Sequence, residues 1–360
     1  MQGCSSYDHN FALAVVRRTR IDIIYILACY ILLLQYNMLT PTLVPGIENF
    51  NAPSWFHDPI KHVVKSQQFS KHTINELCAL SSEFKNVRND SLRGKKMLTY
   101  FEEPSTRTRL SFESAMLDLG GYVMSVENAA NSSKAKGETI EDTVKTIEKY
   151  ADLFVIRSNT AGTAEKAAKV SAIPVINAGD GPGQHPTQAL LDMYTIHDRF
   201  ANFDDLTVVL VGDLLYSRTI HSLVYMLSLF KVRMIFVAPE ECQMKYDLKN
   251  YLQDVGVKFE ESNDLESVSK IADVVYMTRI QKERFTDRPD DYDKCVGKYV
   301  MTKLIAEQMK RDSIIMHPLP RVDEISKDVD TDHRAVYFDQ VERGLELRKA
   351  LLYSIFYDAY

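Results

Sequence analysis

The 360-residue sequence is poor in cysteine and has no surplus of positive charge. Its five cysteines, Cys4, Cys29, Cys78, Cys242 and Cys295, are scattered, and none forms a C-x-x-C pair. That argues against a zinc site and a disulfide framework, and a reducing compartment is the simplest setting. The formal net charge of −6 argues against a basic stripe for nucleic acid. No run of like charges reads as a tail, and there is no short-period repeat or low-complexity tract. Neither a G-x-x-x-x-G-K-[ST] loop nor a complete G-x-G-x-x-G is present, which removes the common nucleotide-binding loops. The apolar run Ile21 to Tyr36 is short for a membrane span.

What remains is the profile of a soluble globular enzyme, with 45% hydrophobic and 26% charged residues and length for two domains. Any anionic substrate then needs a local basic pocket in an acidic molecule. The basic residues Arg17, Arg18 and Arg20 precede the Ile21–Tyr36 run, a pattern like a targeting leader. No A-x-A cleavage site follows. Residues 1–37 read as a leader that is removed, one bypassed by initiation at Met38, or an amphipathic helix packed on the body.

Beyond about Lys61, short apolar runs alternate with helical spacing. Strands are expected at Met97–Phe101, Tyr122–Val126, Leu153–Ile156 and Ile173–Asn177, then at Thr207–Val211, Met234–Val237, Val274–Met277 and Ile314–Met316. Helices are expected at Ser105–Leu119, Thr139–Tyr150, Gln188–Asp198, Ser217–Leu229 and Val341–Tyr357. The alternation predicts an α/β protein with two doubly wound parallel-sheet domains and an active site in the cleft between them. The glycine-rich segment Gly179–His185 is the natural boundary. It gives residues 38–186, completed by a C-terminal helix over 343–360, and residues 187–342.

Polar motifs follow several of these strands. Phe101-Glu102-Glu103-Pro104-Ser105-Thr106-Arg107-Thr108-Arg109 runs into a helix N-terminus, where free N–H groups and the helix dipole favour an anion. Arg107 and Arg109 supply planar, permanently charged donors. Taken alone, the segment could equally be a helix cap with two solvated arginines. His185 in HPTQALLD, Arg157 after Leu153–Ile156 and the polar loop Ser132–Thr139 are each unremarkable in isolation.

Together the blocks look different. FEEPSTRTRLSFESAM resembles the phosphate-binding signature of the aspartate and ornithine carbamoyltransferases, and the later blocks follow in that family's order from about residue 60 onward. By that resemblance, Ser105, Thr106, Arg107, Thr108 and Arg157 bind carbamoyl phosphate. His185 polarises its carbonyl, Gln188 binds its amide, and the carbonyls of Leu319 and Pro320 contact the amide and the incoming amine. Arg321 is expected to brace that last loop. Arg218 and Arg279, with Gln281 assisting, would hold the carboxylates of aspartate, since arginine binds carboxylate bidentately. Ser132 and Lys136 match residues that reach a neighbouring subunit's site, which implies a homotrimer. The pair Lys134-Ala135 departs from the bacterial pattern in that loop.

Arg279-Ile280-Gln281 favours the aspartate branch, because ornithine enzymes resemble S-M-G here and H-C-L-P later. The resemblance implies transfer of a carbamoyl group to L-aspartate in pyrimidine (UMP) biosynthesis, with Arg107, Thr108, His185 and Lys136 catalytic. It implies no cofactor, metal, nucleic acid or membrane partner. A separate regulatory chain is compatible with it, and so is a non-catalytic subunit that keeps the fold. The compartment is expected to be cytoplasmic, or a plastid if the N-terminal segment is an address.

Overall fold

The computed structural model describes residues 60–127 and 133–357. The leader-like segment 1–37, Met38 and Ser132 lie outside them.

The first half runs α1 (Lys71–Glu83), β1 (Lys96–Phe101), α2 (Arg107–Asp118), β2 (Tyr122–Glu127), α3 (Ile140–Ile147), β3 (Leu153–Ser158), α4 (Thr163–Val170), β4 (Val175–Asp180) and α5 (Pro186–Phe200). The second runs β5 (Thr207–Val211), α6 (Arg218–Leu227), β6 (Arg233–Val237), α7 (Tyr246–Asp254), β7 (Phe259–Ser262), α8 (Leu265–Ser269), β8 (Val274–Met277), α9 (Pro289–Cys295), α10 (Lys303–Glu307), β9 (Ile314–Met316) and α11 (Asp339–Tyr357).

The strands form a four-stranded sheet in the order β2-β1-β3-β4 and a five-stranded sheet in the order β7-β6-β5-β8-β9. All pairings are parallel. The fold is therefore two parallel-sheet α/β layers, as the alternation predicts. Parallel strands covered on both faces read as near-continuous apolar runs, and β5 is buried at every position. Val209, Val211, Val275 and Ile315 pack one core cluster, while Leu98, Phe154, Ile156 and Val175 pack another.

In each sheet the strand order reverses beside one strand, at β1/β3 in the first and β5/β8 in the second. Ligands of open α/β sheets bind beyond the carboxyl ends of the strands at such points. The long helix α11 returns across the molecule to pack on α1, α2 and α5, and α5 also packs on α6.

Some boundaries differ from expectation. The fourth strand runs Val175–Asp180, because Pro174 has no N–H for the ladder and pairing continues to Ser158↔Asp180. Thr139 is the cap of α3, its side chain accepting from Asp142 N, and the helix stops at Ile147 before the turn into β3. Helix α1 was not legible from the pattern. Ser70 caps it, accepting from Thr73 N at 3.0 Å, and it buries Ile74, Leu77 and Leu80 among serines, lysine and histidine. The polar loop before α3 contains a 3-10 turn over Ser133–Lys136.

Candidate active site

A cavity of about 610 Å³ opens where the two switch points face each other. Residues after β1 (Ser105, Thr106, Arg107, Thr108), at the end of β3 (Arg157), after β5 (Arg218) and after β8 (Arg279, Gln281) line it. His185 and Gln188 from α5, and Leu319 and Pro320 after β9, complete the wall.

Three helix N-termini meet here. Thr106, His185 and Ser217 are the N-cap residues of α2, α5 and α6, and none makes a side-chain cap bond. The first-turn N–H groups of a helix carry partial positive charge; in α5 Pro186 has none to offer and the Gln188 N–H donates to His185 O at 3.0 Å. Arg107, Arg157, Arg218, Arg279 and Arg348 add guanidinium groups, against the carboxylates of Glu103 and Glu283. A basic pocket thus exists inside an acidic chain.

The arginines are held by specific partners. Glu103 Oε2 accepts from Arg157 Nε at 3.2 Å and from Arg218 Nη2 at 3.1 Å, tying the two sheets together. Arg218 Nη1 also donates to Gly181 O at 2.7 Å. Gly179, with φ +113°, lies under that guanidinium, and a Cβ there would meet Arg218 at 3.0 Å. Burial and the neighbouring Arg218 push the Arg157 pKa down to about 10, which leaves it charged at neutral pH. Arg279 forms a bidentate pair with Glu283 on the next turn. Gln281 donates from its backbone and side chain to Asp213 Oδ2, each at 3.3 Å.

His185 is buried, and its Nδ1 has no hydrogen-bond partner. Burial, then Arg218, Arg157 and Arg348, hold its pKa well below the ordinary histidine value. A neutral imidazole suits a hydrogen-bond donor to a carbonyl that develops negative charge.

The loop after β9 is held by a set of hydrogen bonds. Leu319–Pro320 is cis, and Leu319 has φ +52°. His317 Nδ1 accepts from Leu319 N at 2.8 Å, so its Nε2 carries the proton donated to Glu324 Oε1 at 2.6 Å. Arg321 does brace the loop, through Asp330 and the Tyr337 hydroxyl.

Two expected site residues, Arg109 and Lys136, do not line this cavity, and Arg109 pairs with Glu127 instead. Lys136 is exposed on the 3-10 turn and does not line the cavity, and Ser132 lies outside the described residues. Conversely, Glu103, Glu283, Gln340 and Arg348 line the cavity but carried no role in the sequence reading. The available signal was polar residues on buried helix faces: Gln340 and Arg348 are both buried on α11.

The profile of the "Aspartate/ornithine carbamoyltransferase, carbamoyl-P binding domain" matches residues 61–198, and that of the matching Asp/Orn binding domain matches residues 204–355. The chain belongs to the aspartate/ornithine carbamoyltransferase family. Among relatives of this carbamoyltransferase, "Aspartate carbamoyltransferase 3, chloroplastic" of Pisum sativum is 50% identical over 314 residues, which cover 85% of this chain and 80% of that protein. The aspartate transcarbamoylase of Trypanosoma cruzi, solved with carbamoyl phosphate and aspartate, superposes with a TM-score of 0.77 at 38% identity, covering 82% of this chain and 96% of that one. The catalytic subunit of the M. jannaschii aspartate transcarbamoylase superposes at 0.76 with 44% identity, covering 83% and 99%.

Among the described residues of this carbamoyltransferase, no helix is long and apolar enough to cross a membrane. Among the same residues, no group of three or more His, Cys, Asp or Glu side chains could hold a metal ion.

Proposed function

We propose that the chain is an aspartate carbamoyltransferase, converting carbamoyl phosphate and L-aspartate to N-carbamoyl-L-aspartate and phosphate. The observation that carries this reading is the arrangement of one cavity. An anion site built on the α2 N-terminus faces Arg218 and Arg279, which come from the other sheet.

In this reading Ser105, Thr106, Arg107, Thr108 and Arg157 hold the phosphate. Arg218 and Arg279 take the carboxylates of aspartate, with Glu283 and Asp213 holding Arg279 and Gln281 in place. Arg279 exchanges part of its pairing with Glu283 for the substrate. Much of the rate enhancement then comes from placing the amine against the carbonyl carbon. His185 donates to the carbonyl oxygen as the tetrahedral intermediate forms, alongside Arg107 and Thr108. The C–N bond forms, the C–O bond to phosphate breaks, and the departing phosphate accepts the amine proton. Gln188 and the carbonyls of Leu319 and Pro320 hold the carbamoyl amide.

The placement of Lys136 on an exposed turn fits a residue that serves a neighbouring chain, and supports a homotrimer in which Ser132 and Lys136 complete the adjacent site. For the domain boundary we propose Gly179–His185, with α5 bridging the halves. A place in pyrimidine biosynthesis follows from the product. The chloroplastic name of the pea relative supports a plastid address, carried by residues 1–37, over the cytoplasm.

The test is carbamoyl transfer to L-aspartate and to L-ornithine in parallel, with Arg107→Ala as control. Product with aspartate alone, lost in the control, is expected. Product with ornithine would overturn the substrate assignment.

A further inference from the structure

A buried carboxylate lies behind the carbamoyl end of the cavity. Asp192 is fully buried on α5, one turn after Gln188. Its Oδ1 accepts from Gln188 Nε2 at 2.9 Å and from Gln340 Nε2 at 2.6 Å. Its Oδ2 accepts from the Tyr276 hydroxyl of β8 at 2.8 Å. A carboxylate in such a place is costly unless its oxygens are met by donors. Burial pushes the pKa of Asp192 up to about 7, and the three donors and Arg348 oppose that rise.

The network decides which way two amides point. Gln340 Oε1 accepts from His317 N at 2.9 Å. A backbone N–H can only donate, so the orientation of Gln340 is unambiguous and its NH₂ group must face Asp192. An ionised carboxylate only accepts. In that form Gln188 presents its NH₂ to Asp192, and its oxygen is the end turned away from the carboxylate. Gln188 lines the cavity, and so does the His317–Pro320 segment that Gln340 anchors.

We propose that Asp192 is the positioning residue of the carbamoyl-amide subsite. Through Gln188 on one side, and through Gln340 and the loop after β9 on the other, it sets both walls as hydrogen-bond acceptors for an NH₂ group. Resting on the carbamoyl-transfer reading, this makes Asp192 the origin of discrimination between carbamoyl phosphate and a ligand with a methyl in place of the amine. A site built to bond an N–H rejects an analogue lacking it, because its own polar groups are left unpaired. Asp192 touches no substrate and acts only by holding groups that do.

Acetyl phosphate is the probe, since it keeps the phosphate and carbonyl and lacks the amine. Transfer by the full chain to aspartate is measured first; its absence would defeat the functional reading and not this one. The KM for carbamoyl phosphate and the inhibition constant of acetyl phosphate are then compared in Asp192→Ala, with Asp192→Leu in its place if that variant does not fold. We expect the carbamoyl phosphate KM to rise roughly tenfold or more, as when a buried donor loses its acceptor, and the acetyl phosphate constant to change less than about twofold. Asp192→Asn should restore discrimination, because one amide oxygen can accept from both glutamines while its NH₂ donates to Tyr276. Adding Asp192→Ala to Gln188→Ala should cost much less than it does alone. Equal weakening of both ligands, additive costs with Gln188, or loss of discrimination in the folded Asn variant would each overturn the proposal.

Discussion

Arg157, at the end of a strand in one sheet, and Arg218, at the start of a helix in the other, share a single carboxylate oxygen of Glu103. Both guanidinium groups are largely buried, with side-chain exposures of 16% and 12%. Without Glu103 they would repel each other across the cleft. Glu103→Ala is expected to lower kcat/KM for aspartate roughly tenfold to a hundredfold, with a smaller change in carbamoyl phosphate KM. Steady-state kinetics on both substrates checks this, and unchanged aspartate kinetics would dismiss the bridge as functionally idle.

That relationship also marks where sequence reading stops. Arg107, Arg218 and Arg279 were legible as candidates because the blocks that carry them resemble the family's motifs, and each block follows a short apolar run whose end in an α/β sheet faces ligands. Glu103 was visible only as a letter in the phosphate motif. Its role depends on two arginines distant in sequence. Gln340 and Arg348 were hidden for a related reason: a helix with polar residues on its buried face looks merely amphipathic until its neighbours are known. Helix α1 escaped because its apolar positions are diluted by serines, lysine and histidine. The strand at Thr207–Val211 was plain because a fully buried parallel strand reads as a near-continuous apolar run, here rich in valine.

His185 is held neutral by burial and by three nearby arginines. Its removal should act on the transition state more than on binding. His185→Ala is expected to lower kcat about a hundredfold with little change in the carbamoyl phosphate KM. Because the imidazole is already neutral, kcat should show no loss assignable to its protonation between about pH 8 and the ordinary histidine value. A purely KM effect would argue that it binds and does not polarise.

Asp192 gives a stability prediction whose sign is fixed by its raised pKa of about 7. The folded state binds this proton more tightly than the unfolded chain does. The stability it contributes is therefore fully present below about pH 4 and is lost as pH rises through about 7. Asp192→Asn lacks this titration. Relative to wild type its Tm should rise across that window by roughly 5 °C, and level off above it. Thermal melts at pH 4, 5.5, 7 and 8.5 read the difference directly, and a constant gap would contradict the assignment.

Lys136 lies away from the cavity of its own chain. If it completes a neighbour's site, two inactive variants can complement. Mixing Arg107→Ala with Lys136→Ala, followed by unfolding and reassembly, should recover a substantial fraction of wild-type activity in hybrid trimers. No recovery from properly reassembled hybrids would count against shared sites.

The central claim is that one cavity holds an oxyanion at the α2 N-terminus and a dicarboxylate at Arg218 and Arg279 simultaneously. N-(Phosphonacetyl)-L-aspartate joins both groups in a single molecule, so its calorimetric titration tests this most directly. The account predicts one bound molecule per chain, with affinity sharply reduced by Arg107→Ala and also by Arg218→Ala. Binding unaffected by either substitution, or no binding to the folded protein, would contradict it.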